Sequence, residues 1–129
     1  EKIPKNLWTK NFDKLTKIDK KMVQLIKNLR ISYKIGFVSN TIKPHERINR
    51  KRGLFKLFDV IVLSHKIRMT KDDKRIFLIT AKKLQVNPKE CIFIDDVKDF
   101  VNVSKSIGMK GIKFKNIGKL KYGLGKILN

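Results

Sequence analysis

A chain of 129 residues with 41% hydrophobic content is sized for one domain with a modest core, and none of its stretches is long and apolar enough to span a membrane. Cys91 is the only cysteine, which excludes an internal disulfide and a cysteine-based zinc cluster. The formal net charge is +21, carried by 26 lysines and 6 arginines: a field that attracts polyanions non-specifically, but one spread through every segment rather than focused as dedicated nucleic-acid recognition requires.

The start, Glu1-Lys2-Ile3-Pro4-Lys5, has no apolar signal-peptide core behind it, so a cytoplasmic protein is expected. The lysine, isoleucine and asparagine content matches the coding bias of an AT-rich genome, although that bias favours glutamate too and only Glu1, Glu46 and Glu90 are present. A basic field also favours small phosphorylated substrates, so charge alone does not separate them from non-specific polyanion binding.

Trp8, Phe12, Leu15 and Ile18 fall at helix-like spacing, with Pro4 placed to start that helix. Asp19 reads as the N-cap of a helix through about Arg30, with Met22, Val23, Ile26 and Leu29 as its apolar stripe. Tyr33 to Val38 reads as a strand ending in Ser39-Asn40-Thr41. Pro44 begins another helix to about Lys51, stopped by Gly53. Leu57 to Leu63 is a second apolar strand, ending at Ser64-His65. Asp72 or Asp73 caps a helix that carries Ile76, Phe77, Ile79, Thr80 and Leu84 on one side.

Val86 to Phe93 has the β-branched and aromatic residues of a buried parallel strand, and the run closes on Asp95-Asp96. Cys91, inside this run, is expected to pack as a small hydrophobe. Asp99 to Ile107 is a helix closed by Gly108, and Gly111 to Phe114 a last short strand. Residues 116–129 place Ile117, Leu120, Leu124 and Ile127 at helical spacing, against which Gly118, Gly123 and Gly125 weigh; the segment reads as a packing helix or a frayed end.

Alternating strands and helices predict βαβ units, hence a parallel sheet with helices on both faces. The C-terminal strand ends share one edge in such a sheet, so Ser39-Asn40, Ser64-His65 and Asp95-Asp96 should converge where these folds bind ligands. Two adjacent carboxylates repel each other, and a fold that keeps both ionised supplies a cation; hard oxygen ligands suit Mg²⁺ beside a phosphate. A plainer role stands next to this one, in which Asp96 only N-caps the following helix. Ser39 and Asn40 equally suit a simple turn after a strand, and Lys71, one of many lysines, suits a solvated surface. His45 and His65 support no catalytic triad or metal-binding pair.

From about Asp19 to Lys115 the chain resembles the C-terminal three-quarters of a haloacid dehalogenase-superfamily hydrolase core. The resemblance rests, in order, on Lys34-Ile35-Gly36-Phe37-Val38-Ser39-Asn40, Leu63-Ser64-His65, Lys71, Phe93-Ile94-Asp95-Asp96 and Ile107-Gly108-Met109. It implies a three-layer Rossmann-like parallel sheet and division of the chain into 1–18 (end of a cap domain or linker), 19–115 (core) and 116–129 (C-terminal packing helix or tail). It also implies that Ser39 and Asn40 bind the transferring phosphoryl group, that Lys71 neutralises charge on it, and that Asp95 and Asp96 hold Mg²⁺ directly or through water. The implied activity is Mg²⁺-dependent phosphate-ester hydrolysis through an aspartyl-phosphate, on a small phosphorylated substrate that the cap would select.

The chain departs from the family pattern at several places. Lys71-Asp72-Asp73 stands where Lys-Pro-Asp is usual, Arg68 where a glycine is common, and Val97 and Phe100 where a small residue and an asparagine follow the carboxylate pair. The Asp-x-Asp motif at the end of the family's first strand has no counterpart before Ser39, so the sheet is expected to lack its first central strand and the chain to be a fragment, inactive alone. The alternative is a non-catalytic module that binds phosphate or nucleic acid through the retained core and basic surface.

Overall fold

The computed structural model describes residues 5–7, 20–39 and 54–128. The elements are β1 (Lys5–Leu7), α1 (Lys20–Arg30), β2 (Ile35–Ser39), β3 (Val60–Leu63), α2 (Ser64–Ile67), α3 (Lys74–Leu84), β4 (Ile92–Asp95), α4 (Lys98–Ser106), β5 (Lys110–Lys113) and α5 (Ile117–Leu128). Short 3₁₀ turns at Leu54–Leu57 and Pro88–Glu90 lead into β3 and β4. The five strands form one parallel sheet in the order β3-β2-β1-β4-β5.

Strand alternation builds the three layers. Ile35 and Phe37 of β2 and Ile92 and Ile94 of β4 point to one face, where Met22, Leu25 and Ile26 of α1 and Leu120 and Leu124 of α5 cover them. Val38, Val62 and Phe93 point to the other, beneath Ile76, Phe77 and Ala81 of α3 and Val101 of α4. Phe77 meets Phe93 edge-to-face at 4.7 Å between ring centroids, and Phe37 stacks on Phe58 at 4.9 Å. Each such fully buried side chain contributes about 1.5–3 kcal/mol of apolar transfer free energy. Cys91 lies buried in the second of these layers, as its place in the apolar run predicts.

The expected gap at the centre of the sheet is corrected. Lys5–Leu7 fills it as β1, pairing Lys5 with Ile35 on one side and Lys5, Asn6 and Leu7 with Ile92, Phe93 and Ile94 on the other. That same segment is therefore strand rather than the start of a helix at Pro4, because two flanking strands satisfy its backbone groups whatever its side chains prefer.

Other boundaries move for local reasons. The fourth strand begins at Ile92, not Val86, because Asn87 and Glu90 close a reciprocal capping box around the Pro88–Glu90 turn. The third begins at Val60, since Leu54–Leu57 forms a 3₁₀ turn, and Ser64 opens α2 rather than a loop. Leu25 joins the buried face of α1, while Val23 is only half-buried. Asp73, not Asp72, caps α3, accepting the Arg75 backbone N–H at 3.0 Å. Gly108 adopts a φ of +97° after α4, the left-handed value that lets the chain turn into β5. The C-terminal segment is a packed helix: burial of Leu120 and Leu124 outweighs the cost of its glycines. The helix expected from Pro44 to Lys51, and Asp19 as a cap, lie outside the described residues.

Candidate active site

Parallel strands put the ends of β2, β3 and β4 on one edge of the sheet: Ser39 pairs with Leu63, and Asp95 closes β4 beside Lys113 of β5. At this edge β4 is buried along its whole length, so Asp95 is delivered into the protein rather than onto its surface. Its carboxylate is held at both oxygens. Oδ1 accepts the Val97 backbone N–H at 2.9 Å, and Oδ2 accepts the Lys71 ammonium at 2.5 Å. Lys71, carried by the loop before α3, and Asp95 are each 0% exposed. Their pairing is a charge-assisted contact in a low-dielectric setting.

Asp96 follows, and it does not cap the next helix. The N-cap position of α4 is Val97, with no side-chain cap, and the N–H of Val97 is taken by Asp95. One oxygen of Asp96, Oδ1, is buried and has no hydrogen-bond partner among the described residues. A buried carboxylate oxygen without a donor is costly, and the cost disappears when a cation binds it. Lys71, Asp95 and Asp96 together carry one net negative charge when ionised, which has the same consequence.

Burial raises the Asp95 carboxyl to about 6; the Lys71 charge and hydrogen bond pull it back down, and Asp96 adds to the rise. Burial likewise lowers the Lys71 ammonium, with the charges of Asp95 and Asp96 opposing that shift.

The donor set fits Mg²⁺. Two adjacent carboxylates, one with a buried oxygen unsatisfied among the described residues, match an ion that takes one or two protein carboxylates and completes its shell with water and phosphate oxygens. No third histidine, cysteine, aspartate or glutamate joins them among the described residues.

The structure thus brings together Lys71, Asp95 and Asp96. Ser39 lies at the C-terminal end of β2 on the same sheet edge, and Asn40 lies outside the described residues. Phe100, in the first turns of α4, is a neighbour that sequence reasoning registered only as a departure: its ring centroid stands 4.8 Å from Lys71 Nζ. The open grooves beside Pro88, lined by Leu78, Gln85 and Ile107 among others, lie before the start of β4, at its opposite end from the carboxylates.

Residues 4–98 match the family of haloacid dehalogenase-like hydrolases, and the chain belongs to that family. It is 29% identical over 90 residues to a phosphorylated carbohydrates phosphatase of Thermotoga maritima, a match covering 70% of this chain and 41% of that protein. Among solved structures it is similar to a HAD phosphatase from Thermococcus onnurineus, with a TM-score of 0.77 and 26% identity over 88% of this chain and 59% of that one. A HAD family enzyme from Bacteroides thetaiotaomicron, crystallised with magnesium and inorganic phosphate, shares the fold at a TM-score of 0.73 and 24% identity, covering 80% of this chain and 57% of that one. The chain spans about half the length of the curated relatives it matches, 41% and 47% of the first two.

Proposed function

We propose that this chain supplies the phosphate- and Mg²⁺-binding part of a phosphohydrolase that acts on a small phosphorylated substrate through an aspartyl-phosphate, and that its 129 residues do not supply the nucleophile. The observation that carries the reading is the buried Lys71–Asp95 pair beside an oxygen of Asp96 that has no hydrogen-bond partner among the described residues. The phosphatase relatives and the magnesium- and phosphate-bound relative of like fold support it.

In this reading Asp95 and Asp96 hold the ion, which supplies charge neutralisation and orientation of phosphoryl oxygens. Lys71 presents its ammonium to the phosphate and to the attacking carboxylate. The hydroxyl of Ser39 and the amide of Asn40 bind the remaining phosphoryl oxygens. Phosphoryl transfer asks for positioning and electrostatic stabilisation above all, and these groups provide both. With a divalent cation present the net charge of Lys71, Asp95 and Asp96 turns from negative to positive, the sign that suits a phosphate.

The sequence after β1 supports the absence of a nucleophile. Leu7 pairs with Ile94, one residue before Asp95, yet Leu7 is followed in sequence by Trp8, Thr9, Lys10 and Asn11; the first carboxylate is Asp13. The chain incubated with Mg²⁺ and p-nitrophenyl phosphate is therefore expected to release no nitrophenol above background. Turnover that Asp95→Asn abolishes would contradict the absence of a nucleophile.

A further inference from the structure

Basic residues run through every segment of this chain, but the carboxylates that could answer them do not. Residues 54–97 hold nine lysines and arginines beside six carboxylates, whereas residues 98–128 hold eight lysines beside Asp99 alone. All eight are exposed, and none is ion-paired among the described residues. We infer that the outer face of α5 binds single-stranded nucleic acid, with Lys119 and Lys126 on backbone phosphates and Tyr122 beneath a base. This surface is separate from the carboxylates at the end of β4, and the inference does not depend on the function proposed above.

The helix period sets the face. Leu120 and Leu124 of α5 are buried against the sheet, which turns Lys119, Tyr122 and Lys126, spaced three and four apart, outward as one stripe. Asn116 fixes where the stripe begins, its side chain accepting the Lys119 backbone N–H at 2.9 Å. Lys115, exposed just ahead of the helix, extends the basic run toward β5, the last strand of the sheet. From Lys119 to Lys126 the helix rises about 10 Å, room for more than one phosphate of a nucleic-acid strand.

Charge alone draws any polyanion, and Tyr122 is what narrows the partner. It is 68% exposed, and no other aromatic side chain is so exposed among the described residues. Lys126 Nζ stands 4.5 Å from its ring centroid, so ring and ammonium meet an incoming strand together. A base stacks on such a ring while its phosphate meets the lysine, and the base must be unpaired to do so. A bilayer fits less well, because the apolar face of α5 is spent on the core and leaves no apolar stripe to insert. The bland account is a solvated basic face that only keeps the protein soluble.

The test is fluorescence anisotropy of a labelled oligouridine about twelve nucleotides long. EDTA is present, so that Mg²⁺ at Asp95 and Asp96 contributes nothing. The double variant Lys119→Glu with Lys126→Glu is compared with Lys82→Glu with Lys83→Glu, which reverses two exposed lysines of α3 and changes the net charge equally. The α5 pair should weaken binding at least about tenfold and flatten the log–log salt dependence by about 1.4, the contribution of two phosphates. The α3 pair should weaken it about threefold at most. Tyr122→Ala should lose about fivefold or more, and Tyr122→Phe should bind like the unsubstituted chain.

Equal losses in the two lysine pairs would assign binding to the overall field and overturn the inference. So would Tyr122→Ala binding as tightly as the unsubstituted chain, or an unsubstituted chain that does not bind the oligonucleotide. Oligouridine held alike by every variant, with binding to phosphatidylserine vesicles lost only in the α5 pair, overturns it in favour of a membrane surface.

Discussion

Each end of the sheet carries an aspartate joined to a basic side chain, and the two pairs are built for different ends. Before β2, Arg30 and Asp59 meet at 3.0 Å with side chains 39% and 34% exposed. Their other bonds tie chain to chain: Asp59 Oδ2 accepts the Ile35 N–H, the Asp59 N–H reaches Ile35 O, and Arg30 donates to Lys56 O. Past β4, Lys71 and Asp95 are sealed from solvent next to a carboxylate oxygen with no hydrogen-bond partner among the described residues. The first pair staples backbone and sits in water that weakens it. The second keeps charge where charge is expensive, and the proposed phosphate site rests on that arrangement.

Removing one partner from each pair should expose that difference. Lys71→Met leaves Asp95 buried and unpaired, and should cost about 3–5 kcal/mol in urea unfolding. Adding Asp95→Leu to that variant should restore part of the loss, because two apolar groups replace a stranded charge. A Lys71→Met loss below about 1 kcal/mol would put the pair on the same footing as the exposed one.

The next effect is one of pH. Folded Asp95 holds its proton until about 6, whereas an unfolded aspartate releases it near 4. The folded state binds more protons between those values, so the stabilisation from Asp95 is complete below about pH 4 and is lost as pH rises through 6. Metal binding runs the other way, since the ion must displace that proton. Mg²⁺ affinity should fall about tenfold per pH unit below 6 and level off above it, as read by calorimetry at fixed ionic strength. A flat profile from pH 5 to 8 would remove Asp95 from the ligand set.

Arg30→Ala should cost no more than about 1 kcal/mol, and less in high salt, because its charges are exposed and screened. The smallest effect is expected at Cys91. Burial pushes its thiol up to about 12, so iodoacetamide should not label the folded protein at pH 8. Labelling at the rate of a free thiol would mean that the layer beneath α3 and α4 opens readily.

The place of the carboxylates could be read from sequence, because an apolar run ending in Asp95-Asp96 in an alternating α/β pattern marks the C-terminal end of a buried strand. Lys71 shows the limit of that reasoning. Among so many lysines nothing local marks the one that is buried, and only tertiary packing sets it against Asp95 and Phe100. The central strand was illegible for a similar reason. Lys5-Asn6-Leu7 has neither β-branched residues nor apolar alternation, and its pairing with β2 and β4 supplies what its own sequence does not. In the C-terminal helix the glycines argued against order and the buried leucines decided for it.

The most direct measurement is calorimetric titration of inorganic phosphate into the chain, with and without Mg²⁺, beside the Asp96→Asn variant. The site described here predicts phosphate binding that requires Mg²⁺ and weakens at least about tenfold in Asp96→Asn, whose amide cannot offer the ion a charged oxygen. Phosphate binding that ignores both Mg²⁺ and Asp96, and that falls steeply with salt, would contradict it and assign the anion to the lysine-rich surface.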